Sequence, residues 1–147
     1  MTDPVEDLID AHEALVSELF DLTPPVGIPR NPKDEKLPSR QILVVERVVH
    51  FTSGFKRDGA SKPEAAHVLR LLGRPTTNSQ VTSGYLQFVP QGSMRPPRYD
   101  QRHNTLSVWV DIAGMAQTLE QLRHAERYLW IGWFPGGHVF AELHSAP

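Results

Sequence analysis

Hydrophobic and polar residues alternate without a fault from Thr105 to Ile112. Leu106, Val108, Val110 and Ile112 point one way; Thr105, Ser107, Trp109 and Asp111 point the other. Side chains along a strand take opposite faces in turn, so this is a half-buried strand. From Met115 the spacing turns helical, with Met115, Leu119 and Leu122 on one stripe, and this predicts a helix over 114–126. Residues 128–134 and 138–144 flank Pro135-Gly136-Gly137, a hairpin signal. A three-residue loop sets Phe134 opposite His138. One hairpin face is then wholly apolar: Leu129, Ile131, Trp133, Val139, Ala141 and Leu143. The other carries Tyr128, Trp130, Phe134, His138, Phe140, Glu142 and His144. A one-residue slip would exchange the faces, so the consistency of the apolar one favours this register.

Upstream the pattern is mostly helical. Asp3-Pro4-Val5-Glu6 combines a cap, a first-turn proline and a glutamate that can reach back. Val5, Leu8, Ile9, His12, Leu15, Val16, Leu19 and Phe20 then share one face of a helix over about 3–21. Residues 23–38 hold five prolines and read as an irregular connecting segment. Residues 40–54 are rich in β-branched side chains but alternate poorly, since Glu46 and His50 share a face with Val44 and Val48. Their length and the stripe Ile42, Val45, Val48, Val49 favour a helix. Ser61-Lys62-Pro63-Glu64 is a capping box, Ala65, Val68, Leu69 and Leu72 make a stripe, and Gly73 with Pro75 supplies a stop. That predicts a third helix over 62–72. Residues 81–89 read as a strand, paired antiparallel with 105–112 through a long polar loop.

The expected fold is a single α+β domain over residues 1–147: N-terminal helices on a C-terminal, mostly antiparallel sheet of about four strands, with one crossover helix. A crossover of that length should leave strands 105–112 and 128–134 parallel if they share a sheet.

Charge sharpens this picture more than composition does. Residues 1–22 carry seven carboxylates and no Lys or Arg, whereas residues 40–104 carry ten basic and four acidic side chains. Such asymmetry points to contact between the two segments or to a charged partner. The chain has no cysteine, which removes disulfides and thiolate chemistry. No apolar run approaches the roughly 20 residues that span a bilayer, so no membrane partner and a cytoplasmic location are expected.

Three constellations remain. On the hairpin, Tyr128, Trp130, Phe140, Glu142 and His138 form an aromatic face with a polar rim, suited to recognition. His138 and His144 lie about 20 Å apart along the strand, too far to share an ion. Glu142 and His144 could share one only with ligands from elsewhere, and no metal or other cofactor is expected. Loop 91–104 offers Arg95, Arg98, Tyr99, Arg102 and His103, a set that could contact phosphates and stack on a base, or supply a His to a small ribonuclease. A helix-turn-helix over 64–88 would present Gln80, Thr82 and Ser83, against the β-branched Val81 and Thr82 and against Gly84. No dinucleotide, P-loop, nucleophile-elbow or zincin motif occurs. The expectation is a non-enzymatic binding protein with no catalytic residues, its partner another protein or a second copy met through the N-terminal helix or the aromatic hairpin face. Nucleic acid bound by segment 40–104 is the alternative, and a small-ligand or enzymatic site on the hairpin face the third.

Overall fold

The structure, a computed structural model, describes residues 3–22, 39–57 and 63–146. Its elements are α1 (Pro4–Leu19), β1 (Arg40–Lys56), β2 (Glu64–Pro75), β3 (Ser83–Val89), β4 (Arg98–Asp100), β5 (Thr105–Asp111), α2 (Met115–Gln121), β6 (Glu126–Phe134) and β7 (His138–Ala146). All seven strands belong to one sheet, in the order β4-β5-β3-β2-β1-β6-β7. The expected four-strand sheet under several N-terminal helices is therefore corrected: the sheet dominates, and among the described residues a single N-terminal helix packs on it.

The two helices predicted over 40–54 and 62–72 are the long antiparallel pair β1 and β2. The failed alternation in β1 has a physical cause. Its register with β2 shifts between Val45 and Arg47 and again between Val48 and His50. Each irregularity inserts a residue and inverts the facing of those beyond it, so strict period-two counting fails across a strand that is still paired. In β2 the buried residues are Leu69 and Leu71, with exposed Arg70 between them, a strand pattern that the helical stripe concealed. Ser61 and Lys62 of the capping box, like the proline segment 23–38, lie outside the described residues. No second helix follows β2, so the helix-turn-helix is also overturned. Ser83 is buried, with its hydroxyl 2.8 Å from that of Thr105.

β3 and β5 pair in parallel, not antiparallel. The polar loop between them is not a plain hairpin connection, because it carries β4, which runs antiparallel to β5 at the sheet edge. The chain reverses into β4 and reverses again at 101–104, where Asn104 takes a positive φ of 51°. Two reversals restore the direction of β3, and β5 slots in between. β5 and β6 are separated by three strands and run in opposite senses, so the expected parallel relation does not hold. α2 instead packs against β7, burying Leu122 in the core and donating from Gln121 to the Leu143 carbonyl.

The sheet curls around its larger core, built from Leu43, Leu71, Leu86, Phe88, Leu106, Leu129, Ile131 and their neighbours. Tyr99 of edge strand β4 reaches Trp133 of β6 across the interior, with ring centroids 6.3 Å apart. α1 lies on the outer surface of β1, β6 and β7. It buries Ile9 and Val16 against Ile42, Trp130 and Phe134 in a second cluster, each such side chain contributing about 1.5–3 kcal/mol. Asp3 caps the helix, accepting from the Val5 amide, and its other oxygen accepts from the Thr77 amide and hydroxyl. The Thr77 amide is the main cause holding the Asp3 carboxyl below its ordinary pKa.

Arg40 fastens α1 to the sheet. Its guanidinium donates to Asp10 at 2.6 Å and Glu13 at 2.7 Å, and to the carboxylate of Glu6. Burial opposes its charge, but the hydrogen bonds it donates to Glu13 and Asp10 outweigh that and hold its pKa above the ordinary value. The contact expected between the acidic helix and the basic segment is thus made through Arg40 and loop 76–78. Among the described residues no helix is long and apolar enough to cross a membrane.

Candidate functional site

The hairpin register follows the apolar face: Phe134 pairs with His138, Gly132 with Phe140, Trp130 with Glu142 and Tyr128 with His144. The aromatic face is not open. Trp130 is fully buried beneath α1, Phe134 is buried, and Tyr128 and Phe140 are partly buried. Phe140 packs between Phe134 and Phe20, at 5.8 and 4.9 Å. Burial foremost, with Glu126 nearby, raises the Tyr128 pKa. Gly132 is required here, because an added Cβ would sit 2.3 Å from the indole of Trp130. His138 stands exposed at the turn, away from the rest.

Glu142 gains neighbours that strand geometry alone did not supply. α1 brings His12 down beside it, and His144 lies two residues along β7. The Nε2 of His12 is 2.7 Å from Glu142 Oε2, and the Nε2 of His144 is 3.9 Å from the same oxygen. The two imidazoles meet edge to face at 4.2 Å, and His12 stands edge-on to Trp130 at 5.0 Å. Burial, and secondarily the neighbouring His12, push the His144 pKa down despite Glu142.

The loop residues reach a different surface. The outer face of β2, β3, β5 and β4 carries a groove of about 720 Å³. Strand register builds it: Arg70 pairs with Tyr85, Tyr85 with Ser107, and Ser107 with Arg98, one row across four strands. The next row on that face is Val68, Gln87 and Trp109. The Arg70 guanidinium lies over the Tyr85 ring at 5.8 Å. With strands about 4.8 Å apart, Arg70 and Arg98 flank the row across about 14 Å. A second hollow of about 400 Å³ continues along Gln87 and Trp109 to Arg95 and Lys56. No α1 residue lines either hollow.

Of the loop residues named from the sequence, Arg95, Arg98 and His103 line these hollows. His103 is held by Asp100, Nδ1 to Oδ2 at 2.8 Å, and that hydrogen bond is the leading cause lowering the Asp100 pKa. Arg102 is exposed on the turn, outside the groove lining. Tyr99 faces inward against Trp133, its hydroxyl donating to Asn104 Oδ1, so it presents no free ring to the groove. Tyr85 and Trp109, both partly buried, take the aromatic positions on the outer face. Trp109 was legible as the lone aromatic on the polar side of β5. Arg70 was hidden in a segment that reads as helix.

Comparison with protein-family models, with curated proteins and with solved structures finds no match to this chain.

Proposed function

We propose that the protein is a binding module that takes single-stranded nucleic acid on the outer face of β2, β3, β5 and β4. The supporting observation is the cross-strand row Arg70, Tyr85, Ser107, Arg98, with Trp109 in the next row. A single strand needs cations spaced along its phosphates and flat rings for its bases, and stacking tolerates any sequence because every base has a π-face. The row offers Tyr85 and Trp109 as platforms between flanking arginines, with Arg95 and Lys56 extending the positive track. Asp100 is engaged with His103, and Glu64 accepts from Ser93, so the two carboxylates lining the hollows each have a partner. The cytoplasmic location expected above accompanies this reading.

The test is a gel-shift titration with a single-stranded oligonucleotide across a salt series. Arg98→Ala is expected to flatten the slope of log affinity against log salt by about 0.7, the loss of one phosphate contact. Trp109→Ala is expected to weaken binding by about 1–3 kcal/mol with the slope nearly unchanged. Absence of a shift at low salt, or an Arg98→Ala slope identical to wild type, would sink the proposal.

The other partner expected from the sequence, a protein or second copy, is supported by one observation. Leu8, Leu15 and Leu19 stand exposed along α1, while the aromatic hairpin face is taken up by that helix. On that reading Leu15→Glu abolishes self-association in sedimentation velocity, and a wild-type monomer at all concentrations tells against self-association.

A further inference from the structure

We infer that His12, Glu142 and His144 form a binding site for a divalent transition-metal ion of the zinc type, on the opposite flank of the sheet from the groove and independent of its function. Each residue offers one ligand atom, and the three atoms lie within 4.8 Å of one another. Zinc holds nitrogen and carboxylate oxygen at about 2.0–2.2 Å, so donors around a common tetrahedral ion stand about 3.4 Å apart. The spacings of 2.7 and 3.9 Å from Glu142 to the two imidazoles bracket that value. The two imidazole donors lie within 4.8 Å of each other, so shifts of about a bond length or less would bring the set around one ion.

The donor nitrogens are also unengaged. The Nε2 atoms of His12 and His144 are both buried, and neither makes a hydrogen bond to a described residue. The short approach of His12 Nε2 to Glu142 is a contact in distance that lacks hydrogen-bond alignment. Two buried imidazole nitrogens without partners cost free energy unless something satisfies them. An ion among the three donors satisfies both at once, and it balances the carboxylate charge.

The donor set selects the class of ion. Imidazole nitrogen with one carboxylate suits zinc, cobalt or iron, while magnesium and calcium want oxygen throughout. Three protein donors are one fewer than a closed structural zinc site takes, so a further position goes to water or a small ligand. Glu142 is 48% exposed, which gives the ion a way in from solvent. Because His12 is on α1 and the other two are on edge strand β7, the ion would tie the helix to the sheet.

The test uses the full chain without an affinity tag, titrated with zinc by calorimetry and with cobalt by visible absorption. Wild type is expected to bind a single ion per chain, to show the bands of tetrahedral cobalt and to melt at a higher temperature in zinc. Glu142→Gln and His144→Ala are expected to weaken zinc by more than about 100-fold, since even outer-shell losses cost about 10–100-fold. His138→Ala, which removes an exposed imidazole from the same hairpin, is expected to bind as wild type does. Far-UV circular dichroism of each variant separates lost ligation from lost fold, and Glu142→Gln, an isosteric change at an exposed position, keeps the site testable if His144→Ala does not fold. No zinc binding by wild type, or equal binding by folded Glu142→Gln, would overturn the inference; so would loss of the ion in His138→Ala.

Discussion

Replacing Arg40 with alanine is expected to lower stability by about 3 kcal/mol, read from the midpoint of urea denaturation at unchanged slope. Arg40 is the only basic group hydrogen-bonded to Glu6 among the described residues, and Glu6 is just 5% exposed. Without the guanidinium, Glu6 keeps hydrogen bonds from the Thr76 hydroxyl and the Asn78 amide, but its charge stays buried and unbalanced. Removing one side of a buried pair costs about 3–5 kcal/mol. The lower end applies because Asp10 is largely exposed and regains water when released. Adding Glu6→Gln to Arg40→Ala is expected to restore part of the loss, since the amide carries no charge to neutralise. A cost below about 1 kcal/mol would place the cluster among ordinary surface ion pairs.

Gly73→Ala is expected to do more damage, about 4 kcal/mol or enough to leave no soluble folded protein. A Cβ at Gly73 would lie 1.8 Å from the Val44 carbonyl oxygen and 3.1 Å from the Val45 Cα. Both obstacles are backbone of the neighbouring strand, so no rotamer change relieves the clash. The only escape is to part β1 from β2 where the ladder first shifts register. Gly92→Ala is the matched control: nothing lies within 4 Å of the added methyl, and the expected change is within about 0.5 kcal/mol. A Gly73→Ala protein with a wild-type denaturation midpoint would show that the strands do not approach as described.

Gly73 also shows why half of the fold was legible and half was not. In sequence, a glycine followed by Arg74 and Pro75 after an apolar stripe is a helix stop. In the structure the same glycine is the place where two strands come too close for a side chain. Both uses rest on the missing Cβ, and nothing local distinguishes them. The regular strands, β5, β6 and β7, declared themselves through alternation and a turn, and the hairpin register followed from one apolar face. β1 and β2 failed because shifted pairing scrambles the period and because strands this long are uncommon. β4 was missed because three paired residues inside a polar loop carry no periodic signal. At the sites, Arg95, Arg98 and His103 were visible as loop chemistry. Tyr85 and Arg70 needed the cross-strand register to become neighbours. Glu142 and His144 were recognised as two donors short of a set, and His12 was counted as one apolar-face residue of a helix. Only the docking of α1 on β6 and β7 makes them a group.

That docking orders the birth of the molecule. α1 precedes every strand in the chain, yet much of the apolar surface it covers is made by β6 and β7, which follow all the others; β1 supplies Ile42 and Arg40. Arg40 at the start of β1 likewise pairs with Gly132. While the ribosome is still at work, the leading helix has only part of its seat and β1 has one free edge. The closures are long-range, so their loop entropy is paid before any contact repays it, which slows folding. A chain interrupted before residue 126 would leave the acidic amphipathic helix without Trp130, Phe134 and Phe140 to cover its apolar side, a form suited to chaperone capture rather than to a stable intermediate.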